Sequence, residues 1–109
     1  MGRLSNRVAI VTGSGGGIGY GIAKRYAEEG AKVTVAEFNA ATGEKAAQEL
    51  AALGVDAQFV QTDVADKAQV ENMVQQTVDR WGRVDVLVNN ASSFYPTAVS
   101  AMTTDHFRN

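Results

Sequence analysis

The chain has 109 residues, 45% of them hydrophobic and 20% charged, with a net charge of -2 at pH 7. This composition supports a packed core in a unit of ordinary domain size, excludes wholesale disorder, and gives no basic patch to attract nucleic acid. With no cysteine and a single histidine, disulfides, thiolate metal sites and a histidine metal cluster are excluded, and no metal is expected. The opening MGRLSNRVAIVTG has no secretory pattern, Asn6 stands where myristoylation needs Ser or Thr, and no apolar run approaches ~18 residues. The expectation is a soluble, cytoplasmic protein with no membrane partner.

RVAIV (7–11) is nearly continuous in branched apolar residues and predicts a strand buried on both faces, as in a parallel sheet. A glycine-rich turn follows. Ile18, Ile22 and Tyr26 then recur every four residues beside Ala23 and Ala27, predicting a helix that Gly30 stops. Gly21 and Ala23 are expected to let it lie close to the sheet. KVTVAE (32–37) predicts the second strand, and residues 40–53, rich in Ala, Glu, Lys and Leu, a second helix stopped by Gly54. DAQFVQ (56–61) predicts a third strand whose Asp56, Gln58 and Gln61 suit an outer position. Asp66 is an N-cap with Gln69 three residues on. Val70, Met73, Val74, Thr77, Val78 and Trp81 then make a helical stripe, with Trp81 expected in the core and Gly82 ending the run. VDVLV (84–88) predicts a fourth buried strand. Strands alternating with helices of this length make an α/β fold of βαβ units, with a parallel sheet and right-handed crossovers.

The glycines of TGSGGGIGYG (12–21) fit G-x-G-x-x-G in no register; they fit Thr12-Gly13-x-x-x-Gly17-Ile18-Gly19. Such a turn between strand and helix lets the backbone approach a ligand and points free N–H groups and a positive helix end at an anion. A helix entry that merely needs flexibility is the alternative, and three features weigh against it. Glu37 ends the second strand twenty residues after Gly17, where an acid accepts ribose hydroxyls. TDV (62–64) places Asp63 after the third strand, in position to meet an adenine amino group, and NNAS (89–92) follows the fourth. All lie at carboxyl ends of predicted strands, where doubly wound sheets bind ligands.

These motifs, in this order and spacing, resemble the N-terminal half of a short-chain dehydrogenase/reductase: TGSGGGIG is similar to TGxxxGIG, TDV to the adenine-site Asp-Val, and NNAS to NNAG, with Ser92 departing from the last glycine. The resemblance implies a Rossmann-like doubly wound sheet in the order 3-2-1-4 with helices on both faces, over residues 1–109 as an NAD-binding domain truncated before the catalytic segment. It places Ser14, Gly16 and Ile18 along a pyrophosphate, with Gly13, Gly17 and Gly19 shaping the turn. Glu37 falls on the adenosine ribose and Asp63 and Val64 on adenine, while Asn90, flanked by Asn89 and Ala91, falls near the inner ribose. The implied activity is hydride transfer between nicotinamide and an alcohol or ketone, in a parent expected to form homo-oligomers. A stand-alone dinucleotide-binding module without catalysis is the alternative.

The family's catalytic serine, Tyr-x-x-x-Lys and helical asparagine lie later than these residues, so no catalytic residue is expected here, and Asn109 stands too early to be that asparagine. Tyr20-x-x-x-Lys24 imitates the pair, but is expected on the solvent side of the first helix, away from Ile18, Ile22 and Tyr26. Ser92, Ser93 and His106 read as loop or surface residues. NAD is expected over NADP, because Glu37 repels a 2′-phosphate and no Arg or Lys occupies 14–18 or 38–40. The isolated chain is expected to lack dehydrogenase activity and to self-associate through the fourth strand.

Overall fold

The computed structural model describes residues 5–13 and 17–89. Its elements alternate: β1 (Val8–Thr12), α1 (Gly17–Glu28), β2 (Lys32–Glu37), α2 (Ala40–Ala51), β3 (Ala57–Gln61), α3 (Lys67–Trp81) and β4 (Val86–Val88). The strands form one sheet in the order β3-β2-β1-β4, every pair parallel. Val8 stands beside Lys32 and Thr12 beside Ala36, while Glu37 stands beside Gln61. Each crossover passes through a helix, as a parallel pair requires.

Helices cover both faces. Val11, Val33 and Val35 pack beneath α1 and α2 against Ala23, Ala27, Ala46 and Leu50. Ile10, Ala36 and Val60 pack beneath α3 against Val70, Met73 and Val74. The central strand is therefore buried along its whole length, which is why its sequence is continuously apolar rather than alternating. One polar chain runs through the α3 side. The Thr77 hydroxyl donates to the Met73 carbonyl at 2.9 Å, so it accepts from the Thr34 hydroxyl at 2.8 Å, and Thr34 accepts from Gln58 Nε2 at 3.0 Å. All three hydroxyl and amide groups are thus satisfied.

Local sequence sets the helix ends. The Asn39 side chain accepts from the Thr42 N–H at the start of α2. Asp66 accepts from the Ala68 and Gln69 N–H groups at the start of α3, and Gln69 returns a bond to the Asp66 carboxylate at 3.2 Å. Gly82 ends α3 as expected.

Four expectations are corrected. The fourth strand has three residues, not five: the Asp85 N–H donates to the Val8 carbonyl, but its carboxylate, not its backbone, accepts the Val8 N–H, both at 2.8 Å. The side chain takes the place of a ladder acceptor, and regular pairing begins at Val86. Trp81 is half-exposed, not core; its indole N–H donates to Asp56 at 2.8 Å, with the Arg80 guanidinium 5.2 Å from the ring centroid. An indole N–H requires an acceptor, and at the helix's last residue the carboxylate preceding β3 is within reach. Gly21 is exposed with open space around it; Gly19, Ala23 and Ala27 are the buried small residues of α1. Tyr20 does not face solvent: it is half-buried against the α1–α2 side of the core.

Candidate functional site

Parallel strands bring their carboxyl ends to one edge, and Gly13, Glu37, Asp63, Val64 and Asn89 follow those strand ends. At the end of β1, the Gly13 N–H donates to the Ala36 carbonyl at 2.8 Å, which ties the turn to the end of β2. Gly13 and Gly17 have φ of 63° and 59°, the left-handed region that favours glycine. A Cβ at Gly17 would meet nothing within 4 Å, so the backbone conformation calls for the glycine and leaves room above the first residue of α1. That first turn carries no acidic side chain, so the positive end of the helix is not neutralised from within. Gly19 lies buried in the same helix. Ser14 and Gly16 fall outside the described residues, as does the side chain of Ile18.

At the end of β2, Glu37 is half-buried. Its carboxylate accepts the Asn39 N–H at 3.2 Å, and Asn39 in turn caps α2. The acid is therefore held by a turn that is itself anchored to a helix. Its carbonyl accepts the Thr62 N–H at 3.0 Å, drawing the end of β3 alongside.

At the end of β3, Asp63 and Val64 are half-buried. The Asp63 carboxylate accepts the Ala65 N–H at 2.9 Å, and its own N–H donates to Gln69 Oε1 at 2.8 Å. Gln69 thus braces Asp63 as well as Asp66, a role its capping-box spacing only half revealed.

At the end of β4, Asn89 is exposed. The buried Thr12 hydroxyl shares its proton between the Val88 carbonyl at 3.3 Å and Asn89 Oδ1 at 3.4 Å. Asn90 and Ala91 lie outside the described residues. Thr12 as the link from the end of β1 to Asn89 is missed in the sequence, where it reads only as the first letter of the motif.

The Tyr20-x-x-x-Lys24 pair lies elsewhere. Burial, the charges of Glu49 and Glu28, and a hydrogen bond to Glu49 raise the pKa of the Tyr20 phenol, and Lys24 is exposed. That shift runs opposite to the lowering that a proton-transferring tyrosine gains from a nearby lysine. Among the described residues no cluster of His, Cys, Asp or Glu could hold a metal ion, and no helix is long and apolar enough to cross a membrane.

Left-handed Gly13 and Gly17, a helix start with no acidic side chain in its first turn, and a strand-end carboxylate on the neighbouring strand make a donor and acceptor set that fits a dinucleotide: N–H groups for phosphate, an acid for ribose. The sheet order and the position of these residues define a doubly wound α/β protein. A family model described as short chain dehydrogenase matches residues 7–109, and the chain belongs to that family. It is 51% identical over 89 residues to an uncharacterized oxidoreductase of Thermotoga maritima, covering 82% of this chain and 35% of that protein. It is 39% identical over 105 residues to galactitol 2-dehydrogenase of Agrobacterium fabrum, covering 96% of this chain and 40% of that one. Among solved structures, NAD+-bound xylitol dehydrogenase superposes with a TM-score of 0.80 at 35% identity, over 84% of this chain and 35% of the other. A hydroxysteroid dehydrogenase from Escherichia coli gives the same TM-score, 0.80, at 35% identity, over 84% of this chain and 39% of the other. The chain spans about two fifths of the length of the curated relatives it matches.

Proposed function

We propose that these residues are the cofactor-binding part of a short-chain NAD-dependent oxidoreductase that acts on an alcohol or ketone. When bound, the nicotinamide dinucleotide supplies the hydride acceptor or donor. The residues of this chain bind and orient it. The turn from Gly13 to Gly17 and the N-terminus of α1 receive the pyrophosphate, with Ser14, Gly16 and Ile18 lining it and Gly19 seating the helix. Glu37 accepts the ribose hydroxyls, Asp63 and Val64 meet adenine, and Asn89, Asn90 and Ala91 border the inner ribose. Proton transfer belongs to the serine and Tyr-x-x-x-Lys of the family pattern, which falls beyond Asn109. The working protein is soluble and cytoplasmic, and assembles as a homo-oligomer.

The observation that carries this reading is the position of Glu37: a half-buried carboxylate at the end of the strand next to the glycine turn. It also favours NAD over NADP. A 2′-phosphate there meets a negative charge, and residues 14–18 and 38–40 contain no Arg or Lys to offset it. At about 4 Å the repulsion is worth ~1–4 kcal/mol between water and a protein surface, a preference of about fivefold or more. Calorimetric titration of the protein with NAD+ and NADP+ tests this. NAD+ is expected to bind at least ~5-fold tighter, and Glu37→Ala to narrow the gap. Equal affinity for NADP+, or no binding of either, overturns the reading.

A further inference from the structure

Gln69 lies in the first turn of α3, after the Asp66 cap, and is half-buried next to the fully buried Val70. A Gln at this position ordinarily reaches back to the N–H of the cap residue itself. Here that N–H is already taken, because it donates to the Asp63 carbonyl at 2.9 Å. The Gln69 amide reaches past the cap instead. Its Oε1 accepts the Asp63 N–H at 2.8 Å, and its Nε2 donates to the Asp66 carboxylate at 3.2 Å. Both backbone groups of Asp63 are therefore fastened to the start of α3, one through Gln69 and one through Asp66. The residue before it, Thr62, is fastened to the end of β2, its N–H on the Glu37 carbonyl at 3.0 Å. On the Asp63 carboxylate, Oδ1 accepts the Ala65 N–H at 2.9 Å, which leaves Oδ2 for a donor on a ligand. Without the Gln69 acceptor, Asp63 itself keeps only the bonds within its own turn.

We propose that Gln69 is a positioning residue for base selection: by holding the Asp63 N–H it fixes the Asp63 carboxylate at the end of β3, so that the cofactor's base is chosen by its amino group. The proposal rests on the dinucleotide reading above and adds to it a residue that the sequence marks only as a partner in helix capping. An ionised carboxylate only accepts hydrogen bonds. Held in place, it favours a base with an exocyclic amino donor and disfavours one with a carbonyl at the same position, where two acceptors would face each other. A hydrogen bond is directional, so this selection weakens once the carboxylate strays by about 1 Å. Gln69 supplies the restraint from a helix whose next residue is locked in the core.

The test measures binding, not turnover. NAD+ and nicotinamide hypoxanthine dinucleotide, in which a carbonyl replaces the adenine amino group, are titrated into wild type, Gln69→Met and Gln69→Glu. Wild type is expected to prefer NAD+ by about tenfold, the order of one hydrogen bond to a charged group. Gln69→Met keeps the length and apolar stem but has no amide. It is expected to cut the preference to about twofold or less by weakening NAD+, with the hypoxanthine dinucleotide bound as before. Gln69→Glu keeps an acceptor for the Asp63 N–H and is expected to keep the preference, since its added charge acts on both ligands alike. A purely structural role for Gln69 predicts otherwise: Gln69→Met melts lower and binds both ligands more weakly, with the preference intact, and that result overturns the proposal. So does a Gln69→Glu variant that loses the preference as fully as Gln69→Met. If wild type binds both dinucleotides equally well, the positioning role is overturned while the dinucleotide reading stands. If wild type binds neither, the dinucleotide reading itself fails and the proposal with it.

Discussion

Asp85 shows how one side chain can replace a piece of backbone. Burial works against its charge, but the Val8 N–H, the Arg83 guanidinium and, more distantly, Arg7 outweigh that and hold its pKa below the usual carboxylate value. A folded pKa below the unfolded one stabilises the fold above the ordinary carboxylate range, about pH 4, and that contribution is lost as pH falls through the folded value. Asp85→Ala leaves the Val8 N–H without its charged acceptor and is expected to cost about 2 kcal/mol at pH 7. Asp85→Asn is expected to cost less and to flatten the loss of stability below about pH 4. Urea unfolding at pH 7 and pH 3 measures both, and identical curves for wild type and Asp85→Asn at the two pH values would refute the assignment. The Thr34–Thr77 pair obeys the same rule without charge. Thr77→Val strands the buried Thr34 hydroxyl donor and is expected to cost about 1–2 kcal/mol, and adding Thr34→Val is not expected to recover it, because Gln58 Nε2 then loses its acceptor in turn.

Helix α2 packs closely on β3 at Gly43. A Cβ at Gly43 would stand 2.1 Å from Phe59 Cε1 and 2.4 Å from Cδ1. Exposed Gly-to-Ala changes inside helices gain up to ~1 kcal/mol, but here the ring or the helix must move, and overpacking of this kind costs ~1–3 kcal/mol. Gly43→Ala is therefore expected to lower the melting temperature, and to do so less, or not at all, in a Phe59→Leu background. An alanine that raises the melting temperature of the otherwise wild-type chain would show that the ring swings aside freely. Helix α1 uses small residues for the same purpose. Gly19, Ala23 and Ala27 face the sheet, while Tyr20, Ile22 and Tyr26 flank them as half-buried residues.

Across the whole molecule, the two rims of the sheet differ. β3, the rim strand on one side, is backed by α2 and begins after Asp56, whose carboxylate is engaged by Arg80 and Trp81. β4, on the other, is three half-buried apolar residues, paired among the described residues with β1 alone. A short apolar strand with one paired edge is a template for association. The 109-residue chain by itself is accordingly expected to self-associate, and Val86→Lys, which puts a charge on that strand, to reduce it. Sedimentation velocity over a concentration series checks this. A wild-type chain that stays monomeric and melts cooperatively would mean that the β4 rim needs no cover.

The sequence by itself determined the order and type of all seven elements, the parallel sheet and the edge where the glycine turn, Glu37, Asp63 and Asn89 meet. These follow from period, helix caps and chain order, which are local. The stripe of α1 reads from Ile22 and Tyr26 with Ala23 and Ala27 beside them, and the structure packs all four on the α1–α2 side of the core, with Gly19, Ala23 and Ala27 buried and Ile22 and Tyr26 half-buried. The sequence misjudged what depends on a neighbour distant along the chain. Tyr20 turned towards α2 and Glu49, not solvent. Trp81 fitted the apolar period but lay past the end of the sheet, where its N–H found Asp56. Periodicity says which side of an element is inward; only the tertiary structure decides how near the next element comes, and so whether a small side chain, a ring or a carboxylate occupies the gap.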